Sequence, residues 1–236
     1  MSNGDYLNYF ISGMPPKVVF EMHTKPLEEL VNNDDYSEDN LLMIIPRVSF
    51  IGLTAYFESF CKETAATIFN IYPDLLETAK KGNYNTLLDA ADLKSFNYDV
   101  SNRLGSLITE GYDFGDAKKI NAFFQTIFNK TIFSKDEIHT YNKLLADRNL
   151  IVHNGGTLTQ KYLKQHDPKL HIGTNAYFYS IKFDHNTFIE YLVFLRLIVN
   201  KITNNTIIGI KEAIENKYLE DSELQADALK ALSWTY

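Results

Sequence analysis

Residues 41–72 constrain this chain more than any other stretch. Apolar side chains recur at Ile44, Ile45, Val48, Ile51, Leu53, Phe57, Phe60, Ile68 and Phe69, which suits a helix buried on more than one face. Pro46 falls early enough to mark a first turn or a kink, and Pro73 stops the run. A helix covered on several sides needs other helices packed around it. The expected fold class is therefore mostly α, an up-and-down helical bundle. Its core is expected to combine this helix with those over 115–129, 134–153 and 187–200.

The flanking segments fill in that frame. Residues 1–24 read as irregular because of Pro15-Pro16, with Val18–Phe20 as a short extended piece, and 25–31 as one or two helical turns. Residues 32–40 are acidic and polar, an expected exposed loop. A short helix over 74–81 stops at Gly82, and 85–111 is mixed helix and loop. Residues 115–129 form an amphipathic helix with Ile120, Phe123, Phe124, Ile127 and Phe128 as its stripe. The run Ala176-Tyr177-Phe178-Tyr179-Ser180-Ile181-Lys182-Phe183 has the alternation of a strand, so a small β-hairpin or extended insertion is expected over 157–185. Helical pattern follows over 187–200, resumes at 207–218 and ends with 222–233. The expected organisation is an N-terminal extension (1–40), a helical domain (41–218) and a C-terminal helix or tail (219–236).

Charge and chemistry narrow the function classes. Net charge is −7 and the isoelectric point about 5.4, which argues against a general nucleic-acid coat protein. A small, locally positive cleft is compatible with that balance. The single cysteine, Cys61, cannot form an internal disulfide, so a reduced, cytoplasmic setting is expected. The start Met1-Ser2-Asn3-Gly4-Asp5 lacks the basic patch and apolar run of a signal peptide, and no stretch is clean enough to span a membrane. No glycine-rich phosphate loop or metal-ligand constellation stands out, and His166 and His171 read as surface histidines. Neither cofactor nor metal is expected.

The segment 134–156 carries the candidate chemistry. Ser134 and Glu137 have capping-box spacing, and Gly155-Gly156 supplies a left-handed stop. With Ile138 at zero on a wheel of about 100° per residue, Tyr141, Leu145 and Val152 gather near 300–340°. Leu144 and Ile151 extend that apolar arc on one flank, so Arg148, at about 280°, falls inside it, with Asn149 and His153 about 40° apart at its edge. A guanidinium turned toward the apolar side is costly unless an anion meets it. Two readings compete. Arg148 can clamp a structural carboxylate while His153 caps helix-end carbonyls. Alternatively, the arginine fork, the imidazole and the amide form an anion site competent for proton transfer.

Arg148-Asn149-x-x-x-His153 resembles the Arg-polar-x(3)-His motif of the HEPN superfamily, in particular the RiboL-PSP-HEPN-like and related prokaryotic domains. The resemblance covers roughly residues 41–200. It implies an all-helical domain that pairs as a homodimer, with both motif copies lining one cleft, and a metal-independent endoribonuclease acting on RNA. Arg148, His153 and Asn149 are then the catalytic residues, with Asn154 in support. Phe57-Glu58-Ser59-Phe60 resembles the acidic position on the long central helix of such domains. Glu58 is the expected holder of Arg148, and Lys62 lies near the phosphate path; otherwise the two form a surface i,i+4 ion pair. Glu63 follows Lys62 where some members carry a second basic residue. The resemblance also allows a toxin or phage-defence effector held by a cognate antitoxin or regulatory protein. The alternative is an inactive helical dimerisation, nucleotide-binding or RNA-binding module.

Overall fold

The computed structural model describes residues 5–33, 39–171, 175–216 and 218–236. The chain is mostly α, a helical-bundle protein. A 3-10 turn over Asp5–Tyr9 leads into α1 (Pro16–Val31) and α2 (Asp39–Ile71). Three short helices follow, α3 (Leu75–Lys81), α4 (Ala90–Ser95) and α5 (Leu104–Thr109). Next come α6 (Ala117–Phe128), α7 (Lys135–Asn154), α8 (Gln160–His166) and α9 (Pro168–His171). A second 3-10 turn at Ala176–Phe178 precedes α10 (His185–Glu215) and α11 (Glu223–Ala231).

The contacts divide into two compact units. The first comprises Met1–His23, Phe57–Ile132 and Leu197–Tyr236. Its core is aromatic: Phe69, Tyr84, Phe114 and Phe124 surround Phe123 at ring separations of 5.3–5.9 Å. The stripe expected on α6 is buried in full, and its helix is capped by Asp116 and closed by Asn129 in the left-handed region. Gly105 lets α5 lie on α2, its N–H donating to Asn70 Oδ1 at 2.8 Å. A Cβ there would collide with the Ala66 carbonyl oxygen, so the approach requires glycine.

The second unit comprises Thr24–Tyr56 and Phe133–Arg196, and it holds all of α7. Phe50 of α2 stacks on both Phe183 and Tyr191, at 4.6 and 5.2 Å, and Phe133 packs on Tyr141 at 5.1 Å. Arg196 closes an ion pair with Glu28 at 2.6 Å.

Three expectations give way. The first is the irregular start. Pro16 opens α1 instead, since the first helical position has no N–H partner to lose. The helix then runs through Pro26 at the cost of one backbone bond. The second is the break after Asn200. α10 continues because Ile202, Thr203, Thr206 and Ile210 prolong the buried face, and Thr206 bonds back to the Ile202 carbonyl. The third is the β-hairpin insertion, for which the described residues form no strand, only an isolated Thr157–Ser180 bridge. The Asn175 side chain accepts from the Tyr177 N–H and bends the chain into a 3-10 turn. Tyr177, Phe178 and Tyr179 are consequently all exposed, whereas a strand would alternate them. The expected loop over 32–40 lies largely outside the described residues, as do Met1–Gly4 and the side chain of His171.

Candidate functional site

Both ends of α7 form as the spacing requires. Ser134 Oγ accepts from the Glu137 N–H, and the Glu137 carboxylate accepts from the Ser134 N–H at 2.8 Å. At the other end Gly155 and Gly156 take φ of +59° and +83°, and the Gly156 N–H reaches the Leu150 carbonyl at 3.1 Å. The helix is thus stopped one residue after Asn154, leaving His153 and Asn154 exposed on its last turn.

Which face of α7 is buried differs from the wheel reading. Tyr141, Leu144, Asp147, Leu150 and Ile151 are buried, an arc centred near 210° on the same wheel, about 100° from the expected one. Val152 is exposed and Arg148 half-buried on the flank. The buried charge is therefore Asp147, not Arg148. Its carboxylate accepts from Lys143 Nζ at 2.6 and 2.7 Å, from the Tyr162 hydroxyl at 2.5 Å and from the Tyr191 hydroxyl at 2.6 Å. Lys143 also donates to the Tyr162 oxygen at 2.8 Å. This cluster ties α7 to α8 and α10. Sequence reasoning missed it, although an i,i+4 Lys143–Asp147 pair set among Leu144, Leu150 and Ile151 is a readable sign. Burial, followed by the bond to the Asp147 carboxylate, pushes the Tyr162 phenol well up; burial, then the Asp147 charge, does the same to Tyr191.

Beside this cluster a cleft of about 270 Å³ opens between α7 and α8. Asn149, His153 and Asn154 line one side, and Lys161, Tyr162 and His166 the other. His166, expected to be a surface histidine, is half-buried and packs against Tyr162, the rings tilted by 45° with centres 4.9 Å apart. Burial pushes its imidazole below the ordinary value, aided by Lys143 and His139 and opposed by Asp147. Arg148 lies outside the lining; its guanidinium donates to Asn149 Oδ1 at 3.0 Å, which sets it at the cleft edge. No carboxylate pairs with Arg148 among the described residues.

The other expected residues fall in the first unit. Glu58 is exposed, and Lys62 donates to the Glu110 carbonyl at 2.7 Å, at the end of α5. Lys62 is thus engaged in holding its own unit, and the i,i+4 ion pair with Glu58 is not formed.

Charge is unevenly spread. Over 143–169 the cations are Lys143, Arg148, Lys161, Lys164 and Lys169 and the carboxylates Asp147 and Asp167, a balance of +3 in a chain of −7. Among the described residues no cluster of three or more His, Cys, Asp or Glu side chains is arranged to hold a metal ion, and no helix is long and apolar enough to cross a membrane. No family model matches this chain, and no curated protein or solved structure matches it either.

Proposed function

We propose that this protein is a metal-independent endoribonuclease of the HEPN kind, working in the cytoplasm as a homodimer with the α7–α8 cleft as its active site. The observation that carries this reading is the end of α7. An exposed imidazole, an amide one turn before it and a guanidinium with no carboxylate partner among the described residues adjoin a cleft whose lining carries Lys161 and no carboxylate. In the proposed reaction one imidazole takes the proton of the RNA 2′-hydroxyl as that oxygen attacks phosphorus. The 5′-oxygen leaves with a proton from an imidazolium, giving a 2′,3′-cyclic phosphate and a 5′-hydroxyl. His153 is one proton carrier and His166, on the opposite wall, is placed to be the second. Arg148 stabilises charge on the scissile phosphate, and Asn149 orients it or the imidazole.

The test is wild type against His153→Ala on total RNA with EDTA present, with end-group analysis and a mass measurement in solution. Cleavage by wild type alone, with cyclic-phosphate ends and a dimeric mass, is the expected result. Because His153 is exposed, its loss leaves the melting temperature within about 2 °C. His153→Ala protein that cuts at the wild-type rate refutes the mechanism. One observation favours a second reading, an inactive RNA-binding module: the Arg148 guanidinium already donates to the Asn149 amide oxygen. Wild type that binds RNA and never cuts it decides for the module. A toxin or phage-defence role under a cognate partner accords with the same chemistry.

A further inference from the structure

Three consecutive aromatic residues are turned to solvent beside the cleft. Tyr177, Phe178 and Tyr179 are 64%, 83% and 56% exposed. Single exposed aromatics are ordinary; a contiguous apolar patch usually marks a binding surface. Nor is this a loosely hung loop. The fully buried Ala176 anchors the turn, and the Tyr179 N–H closes it on the Ala176 carbonyl at 3.0 Å. On the far side, the Tyr179 carbonyl accepts from the Leu158 N–H and the Ile181 N–H donates to the Gly156 carbonyl, both at 2.8 Å. Arg47 then donates to the Ile181 carbonyl at 2.7 Å, its guanidinium lying where any side chain at Gly156 would crowd it. The aromatic run is therefore pinned to the stop of the motif helix, and its turn packs on α8.

The charges around it select the partner. Residues 155–183 carry four lysines, Lys161, Lys164, Lys169 and Lys182, against one carboxylate, Asp167. All four lysines are exposed. An apolar protein surface would cover the rings and gain nothing from the cations. A single strand of nucleic acid offers flat bases for the rings and phosphates for the lysines.

We propose that Tyr177, Phe178 and Tyr179 form a stacking platform for unpaired bases of single-stranded RNA next to the α7–α8 cleft. The choice of RNA rests on the reading of that cleft as a ribonuclease site. Stacking makes the platform tolerant of sequence, with purines held better than pyrimidines.

The experiment is fluorescence anisotropy of the full-length protein with a labelled 2′-O-methyl oligoadenylate, which lacks the attacking hydroxyl. Phe178→Ala is expected to weaken binding about fivefold or more, without changing the salt slope, because a stack and not a charge is removed. Phe178→Trp should bind at least as well as wild type, and Lys161→Ala with Lys164→Ala should flatten the salt slope. Wild type that does not bind, or Ala variants of all three rings that bind within twofold of it, overturns the proposal. If those variants instead turn a dimer into monomers at unchanged RNA affinity, the rings are an interface with a second copy and the proposal is wrong. A ring-dependent affinity in a protein that never cleaves unmodified RNA sustains the platform and removes the nuclease. Cleavage with ring-independent affinity does the reverse.

Discussion

Asp147→Asn isolates the contribution of one buried charge. The substitution keeps the shape of the side chain and replaces one accepting oxygen with a donor. Three groups now bind that carboxylate, two phenols and an ammonium, at 2.5–2.7 Å. They do not weigh equally. The Lys143 side chain is 36% exposed and can turn its ammonium to water, so its share is that of a surface pair, about 0–1 kcal/mol. Tyr191 is 9% exposed and has no such recourse. A hydrogen bond to a charged acceptor contributes about 1.5–3 kcal/mol, and the amide retains one oxygen, so roughly one such bond is lost. The expected cost is about 2–3 kcal/mol. For a chain of 236 residues that lowers the melting temperature by about 4–12 °C. Circular dichroism follows the melt, and urea titration should move the midpoint without changing the slope. A cycle with Tyr191→Phe should show coupling of about 1 kcal/mol or more, since both changes act on one bond. A melting shift under about 1 °C, or strict additivity with Tyr191→Phe, would refute the claim that the carboxylate charge holds α7, α8 and α10 together.

Three further outcomes follow from the same geometry. Tyr162 and Tyr191 have folded values raised above the ordinary 10.0, so the unfolded chain releases their protons first. Stability is full below pH 10 and falls as pH climbs beyond it, by at most about 1.4 kcal/mol per unit for each phenol and less for the half-exposed Tyr162; in alkaline urea titrations wild type should exceed Tyr191→Phe by a constant margin below pH 10, and that margin should shrink above it. Gly105→Ala drives a methyl into the Ala66 carbonyl and should cost about 3 kcal/mol or block folding, which a melt of the purified variant reads. Lys143→Met removes a cation that holds the His166 imidazole down and leaves Asp147 to raise it, so the His166 titration followed by NMR should move upward while its contact with the Tyr162 ring persists.

The parts legible in the sequence were those governed by local rules. The capping box at Ser134 and Glu137, the Gly155-Gly156 stop and the α6 stripe depend on neighbours within a turn or two, and all three form. The face of α7 depends on what packs against it, and there a count of apolar residues misled. Val152 and Leu145 drew the arc toward solvent, while Asp147 was passed over as polar although three donors from α7, α8 and α10 make its burial tolerable. The strand reading of 176–183 failed for a related reason. Alternation describes side chains, but Asn175 offers the backbone a turn before a partner strand can, and the described residues supply no such strand. His166 could not be joined to His153 by spacing, because the reversal at Gly155 and Gly156 is what turns α8 back alongside α7.

The adjacency of Asp147 and Arg148 explains why the cleft can be positive at all. Successive helical residues diverge by about 100°, so two opposite charges side by side in sequence face different surroundings. Asp147 turns inward, where Lys143 and two phenols absorb its charge; Arg148 turns to the flank, where its guanidinium donates to the neutral Asn149 and, among the described residues, pairs with no carboxylate. Were the carboxylate on the outer face, it would be an internal competitor for any anion that Arg148 and Lys161 attract. Burial removes that competitor, and the same bonds fasten the helix that carries Lys161 and His166. Two neighbouring charges are thereby given different surroundings, and the cost of burying Asp147 leaves the field of Arg148 uncancelled by it.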